Sequence, residues 1–398
     1  MIRVFMLVIL ITISASADFS NTNILNFYNI HIHGGKTNNE KVSNTLNYIS
    51  IEPTVNYSTD NYWFVFTPIF YKYDTLDGNE LVHHNFNKKW KKQNAFIRSL
   101  YMSYTDKNMI YGVGFIPFSN SFPMEYTKDL YSDGEGLSTI SDHNPLSAFV
   151  KIIDDKNSYL LSVNHTGKDY PVGNYMPETL KGSSGIRLMH TYIDTKIKVI
   201  NEFSAVYLTF EGEHYAKQYN IGTGLSYDDS SDSGWIVYDV FGLSLMDSKM
   251  SRIKNRVLDA KEIPQSALTT HPESFDFEDK KIYGASNLFG IRKDFDIFRY
   301  DMFLNFEWFH TFNDWTSGNF GNLYNSNWTQ TWNIRNDSFF FNYGLTVTKN
   351  LFFSMSYAIS NCGGAIKTGN PTETDPKNVY SPRMEHSNVY RFNLKYRF

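Results

Sequence analysis

The chain is poor in cysteine, in long apolar runs and in charge of either dominant sign. A single cysteine, Cys362, stands among 398 residues, so no intramolecular disulfide can form. Nor does it stand near the N-terminus, where a lipid-anchored protein would need it. Beyond residue 17 every apolar stretch is broken by polar residues within a few positions, which excludes a helical inner-membrane protein. The net charge is −4, with no run of like charge and no low-complexity linker, so nothing calls for a nucleic-acid partner or a second domain. Glycine pairs at Gly112/Gly114 and Gly222/Gly224 lie inside strand-like segments, where glycine marks a bend or close approach rather than a phosphate loop.

One apolar run is present, and it comes first. Arg3 precedes an apolar stretch from Val4 to Ile13, broken only by Thr12, followed by Ala15-Ser16-Ala17. That stretch is far shorter than the ~20 residues of a spanning helix, and its flanks are those of a secretory signal cut before Asp18. The expected organisation is therefore a signal peptide over 1–17 and one domain over 18–398. Loss of Arg3 takes the net charge from −4 to −5.

Aromatic residues are abundant, at 17% with 28 Tyr, 32 Phe and 7 Trp, although mean hydropathy is only −0.39. The two facts agree if apolar side chains are confined to every second position of many strands. The last segment shows the pattern plainly: Tyr390, Phe392, Leu394, Tyr396 and Phe398 alternate with Arg391, Asn393, Lys395 and Arg397. In a strand these sets face opposite sides, one bare hydrocarbon and one charged. A soluble sandwich also alternates, but a terminal strand closing on a free aromatic residue resembles the C-terminal signature of outer-membrane β-barrels. That resemblance implies a transmembrane antiparallel all-β barrel in a Gram-negative outer membrane, among lipid and lipopolysaccharide, placed there by barrel-assembly machinery.

The same alternation, read backwards, predicts about sixteen strands, at 24–33, 45–57, 61–72, 93–104, 109–116, 146–153, 158–166, 184–192, 196–210, 214–226, 234–246, 280–292, 296–310, 335–347, 351–361 and 388–398. Alternation is imperfect at 24–33, 184–192 and 214–246, so roughly fourteen or eighteen strands remain open. Short turns rich in Asp, Asn, Ser and Lys are expected at 58–60, 105–108, 154–157, 193–195, 228–233, 293–295 and 348–350. Between them run long connections at 73–92, 117–145, 167–183, 247–279, 311–334 and 362–387. Short turns on one side and long loops on the other are the habit of outer-membrane barrels.

A barrel of about sixteen strands is wide enough to hold water. The chain thus resembles the porins, and the resemblance implies a channel passing small hydrophilic solutes or ions, without cofactor, metal or chemical step, and association as a homotrimer. Inward positions follow from parity. They are Arg299, Asp301 and Glu307 opposite an apolar set from Phe298 to Trp308; Arg391, Lys395 and Arg397 on the last strand; Lys151 beside Ser147; Lys196, Lys198 and Glu202; and Glu52 with Ser50 and Thr54. Porins fold their third loop into the channel, and 117–145 occupies that place, carrying Glu125, Asp129, Asp133, Glu135 and Asp142. Opposed to Lys151, Arg391, Lys395 and Arg397, these acids would set a field across a constriction favouring cations or zwitterions. An acidic surface loop is the plainer reading.

Other motifs carry less. His31 and His33 share a strand face but have no acidic or cysteine neighbour to complete a metal site. Ser138, Asp142 and His143 share one loop without a recognisable hydrolase motif. A surface adhesin or structural barrel with a plugged lumen is the competing function, since the long loops could present a binding surface.

Overall fold

The structure, a computed structural model, describes residues 18–37, 40–75, 95–115, 146–165, 182–210, 212–252, 255, 278–298, 300–313, 334–365 and 386–398. Sixteen strands run through them. The first eight are β1 (Asp18–Thr37), β2 (Glu40–Ser58), β3 (Tyr62–Thr75), β4 (Ala95–Asp106), β5 (Met109–Phe115), β6 (Leu146–Asp154), β7 (Asn157–His165) and β8 (Ser184–Asp194). The remainder are β9 (Ile197–Phe210), β10 (Glu213–Asp229), β11 (Trp235–Ser248), β12 (Lys280–Ile297), β13 (Tyr300–Asn313), β14 (Ile334–Thr348), β15 (Leu351–Ala365) and β16 (His386–Arg397).

Each strand pairs antiparallel with its chain neighbours, and β1 also pairs with β16, so the sheet closes into a barrel without an edge. Closure satisfies every strand's hydrogen-bonding row, as a wall in contact with lipid requires. The last residue takes part: the backbone N–H groups of Asn23 and Phe398 each donate to the other's carbonyl, at 3.1 and 3.0 Å.

Parity decides which side chains face which solvent. Along β10, Tyr219, Ile221, Thr223, Leu225 and Tyr227 are exposed, while Gln218, Asn220, Gly222, Gly224 and Ser226 between them are buried. The exposed set is mainly apolar and the covered set polar or glycine, the reverse of a water-soluble sheet. Ile221 and Leu225 leave 57% and 55% of their surface bare. Such a surface is stable where the surroundings are hydrocarbon, because burying apolar area from water contributes ~25 cal/mol per Å².

Short turns gather at one barrel end, at 59–61, 107–108, 155–156, 195–196, 230–234, 298 and 349–350. Lys107, Asp155, Thr195 and Phe298 all take positive φ, from 42° to 54°. That conformation matches a tight hairpin to the right-handed twist of its strands. One expected turn is corrected. The chain does not reverse at Lys293-Asp294-Phe295; β12 continues to Ile297 and reverses at Phe298. Its outward alternation of Phe289, Ile291, Lys293, Phe295 and Ile297 persists through the polar residues, which face inward or sit at the rim.

Opposite the short turns, six connections are long, as expected. The other two, 38–39 and 211–212, are brief.

Inside the wall, three aromatic rings each fold over a glycine directly across from them: Phe149 over Gly112, Tyr238 over Gly290 and Phe303 over Gly344. At each glycine a Cβ would come within 2.1 Å of the ring. The missing side chain lets the ring lie flat against the barrel wall, covering the backbone that glycine leaves bare.

Candidate functional site

The inward face is the candidate site, built from short polar contacts between adjacent strands. On β1 and β2, the Asn26 amide donates to Glu52 Oε1 at 2.9 Å and the Ser50 hydroxyl donates to the same oxygen at 3.0 Å. On β6 and β7, Ser147 donates to Asn164 at 2.7 Å. On β8 and β9, the Arg187 guanidinium meets Glu202 twice, with Nε to Oε1 and an NH2 nitrogen to Oε2 both at 2.9 Å. Arg187 and Glu202 are 1% and 4% exposed. An ion pair so withdrawn from water is tolerated when the opposite charges are in direct contact, here one charge-assisted hydrogen bond and a second close ionic contact that together offset desolvation.

A second polar group spans β11 to β13. The Tyr238 hydroxyl reaches both Glu307 and the Asn305 side-chain oxygen, the latter at 3.1 Å. Below it, Arg292 pairs with Asp294 and lies 4.1 Å over the Phe303 ring. Glycines 290 and 344 hold these two rings against the wall, so the backbone itself positions the polar groups that the rings carry or stack upon.

At the short-turn mouth the lumen opens into a cavity of about 590 Å³. Its charged lining is mixed: Arg292, Lys349, Lys395 and Arg397 against Asp294, Asp296 and Asp301. A neighbouring cavity of about 400 Å³ shares Arg292 and Asp294 and adds Lys196 and Lys198. Lys196 itself sits in the turn between β8 and β9, bound to Asp229 and Asp232, and these hydrogen bonds raise its pKa above the ordinary lysine value.

The expected site residues divide into three groups. Glu307 is buried on the inward face of β13, beside buried Asn305, with Asp301 exposed at its mouth. Lys395 and Arg397 line the same mouth, and Lys151 is half-buried on the face that also carries buried Ser147. Arg391 lies on β16 opposite Ile30 and Ser356; its side chain is outside the description. Arg299 and the loop acids Glu125, Asp129, Asp133, Glu135 and Asp142 lie outside the described residues. Lys196, expected on the lumen wall, is instead a turn residue at its rim. Sequence reading overlooked Arg187, Arg292 and Tyr238. Parity does flag Arg187, which sits between outward Ile186 and Leu188, whereas Arg292 was hidden by the misplaced turn beside it.

By sequence, no protein-family model and no curated protein matches the chain. Its fold does match. OmpF of Salmonella typhi, solved in complex with daunomycin, aligns with a TM-score of 0.56 over 96% of this chain and 97% of that one. The chain has the porin fold. An anion-selective porin from Comamonas acidovorans gives 0.55 over 96% and 100%, and OmpT, an outer membrane protein of Vibrio cholerae in its trimer form, gives 0.54 over the same shares. Identities are 9%, 9% and 7%. The porin fold has therefore been reached here with almost none of the same residues, and the lumen's chemistry must be read from this chain's own side chains.

Proposed function

We propose that this protein is an outer-membrane porin, a water-filled channel through which small hydrophilic solutes or ions diffuse without a chemical step. The observation that carries the reading is the inverted wall: a closed sixteen-strand barrel with polar side chains inside and apolar ones outside. A barrel of this strand number has room for water along its axis. The mixed charges of the short-turn mouth would then sort solutes by sign. The reading includes a signal peptide removed before Asp18, delivery by barrel-assembly machinery, contact with outer-membrane lipid and lipopolysaccharide, and association of copies in threes. One fold neighbour is described as a trimer, which supports the last of these.

Planar-bilayer recording of the refolded protein tests the channel. Stepwise conductance that grows with salt concentration is expected; a silent bilayer at every salt concentration would overturn the proposal. A second reading, a surface-presenting barrel whose lumen is filled, is favoured by one observation. Arg187, Glu202, Tyr238 and Glu307 on the inner wall are each 4% exposed or less. The same recording separates the two, because a filled barrel conducts nothing.

A further inference from the structure

Partway along its strands, the outward face from β7 to β12 carries a group of polar side chains. From β7 to β10 a chain of polar side chains crosses the strands obliquely. The Thr223 hydroxyl donates to Asn201 Oδ1 at 2.9 Å, the Asn201 amide to His190 Nδ1 at 3.3 Å, and His190 Nε2 to Asn157 Oδ1 at 3.0 Å. Both ring nitrogens of His190 are thus held by amides, so it is not a poised general base. Beyond Phe241 the polar residues resume, with Asn287 donating to Asp239 at 2.8 Å. His190, Asn201, Thr223, Phe241 and Asn287 are successive direct cross-strand neighbours.

Asn157 adjoins the 155–156 turn, whereas Asn201, Thr223 and Asp239 stand farther along their strands, within the apolar belt. Thr223 lies midway between Tyr219 and Tyr227 on the outward side of β10. Asn201, Thr223 and Asp239 are exposed. Around them an outward groove of about 630 Å³ is lined by apolar residues including Leu161, Leu188, Ile221 and Leu243. Acyl chains offer no hydrogen-bond partner, and charge or bare amide facing lipid is penalised. Another protein surface offers both donors and acceptors.

We propose that the outer face of β9, β10 and β11 is where a second copy of this barrel docks. Asn201 is the fifth residue of β9 and Asp239 the fifth of β11, each counted from its short turn. They therefore sit at similar depth, on either side of β10. Copies in one membrane with a common orientation are related by an axis along its normal. If that axis faces β10, the left flank of one copy meets the right flank of the next at equal depth. Such a contact brings the Asn201 amide, a donor, to the Asp239 carboxylate, an acceptor, with Thr223 nearest the axis. A single surface thus carries both halves of the bond, which a lipid or an unrelated protein would not need.

The inference deepens the self-association proposed above; it requires the barrel to lie in a membrane, not the lumen to conduct. The test uses the full chain in detergent and in lipid vesicles, with sedimentation to read oligomeric state. Asn201→Leu and Asp239→Leu, which should not harm a lipid-facing wall, are each expected to raise the dissociation constant ~10-fold or more, with less than additive effect together. In a Cys362→Ser background, the paired replacement Asn201→Cys with Asp239→Cys should give disulfide-linked oligomers on oxidation. The matching pair flanking β3, Ile51→Cys with Met102→Cys, should not. A wild-type monomer at all concentrations, unchanged dissociation in both leucine variants, cross-linking through the β3 pair, or lipid phosphate retained by wild type and lost from the leucine variants would each overturn it. Conductance recorded on the same preparations keeps failure of the channel reading separate.

Discussion

Gly290 and Gly344 lack side chains where the Tyr238 and Phe303 rings lie, with contacts of 2.1 Å awaiting any Cβ. Gly290→Ala must therefore push Tyr238 off the wall and away from Glu307 and Asn305. We expect a loss of about 1–3 kcal/mol in urea unfolding from vesicles, as for other overpacked interiors. Adding Tyr238→Ala should restore part of it, since the ring that clashes is gone. The Arg187–Glu202 pair makes a sharper demand. Glu202→Ala takes away the carboxylate paired with a guanidinium that is 1% exposed, and the expected cost is about 3–5 kcal/mol. Replacing both by Leu and Met should cost distinctly less, measured by the same unfolding. Such pairs escape sequence reading because their partners are fifteen or more positions apart and meet only through strand register.

Strands were the most legible elements, since alternation acts between nearest neighbours and needs no knowledge of the rest of the chain. All sixteen expected strands are present, including those at 24–33, 184–192 and 214–246 where alternation falters. At 184–192 and 214–246 there is a physical reason: polar outward residues such as His190 and Asp239, and apolar inward ones such as Val240 and Met246, interrupt the two-residue period. The turn at 293–295 was misread because Lys293, Asp294 and Asp296 look like turn residues, while pairing with β11 and β13 holds them in a strand. A true turn element shows its chemistry in Lys196, whose bonds to Asp229 and Asp232 tie the β8–β9 turn to the β10–β11 turn. Lys196→Met is expected to speed proteolytic cutting within 230–234. With its pKa raised by these bonds, the lysine's contribution is present below the ordinary lysine range and fades only as pH rises through the raised value. Proteolysis of the wild-type turn should thus show no loss of this tie between pH 7 and 9.

At the scale of the molecule, closure between β1 and β16 turns a sheet with two faces into a vessel with an inside. The mouth it forms gathers Lys395 and Arg397 with Asp294, Asp296 and Asp301 from strands distant in sequence. If solutes pass there, neutralising one sign should shift selectivity toward the other. Lys395→Gln with Arg397→Gln is expected to move the reversal potential under a salt gradient toward cation preference, and Asp301→Asn in the opposite direction. A reversal potential unmoved by all three would place the selectivity elsewhere. The sequence by itself determined that the chain is a barrel of inward-polar, outward-apolar strands, and about how many, because the period of two is a local property of neighbouring residues. Which charges share a mouth, which ring lies over which glycine, and which outward polar residues line up into one oblique ladder were decided only by closure and register. Those set distances between residues that the linear order keeps apart.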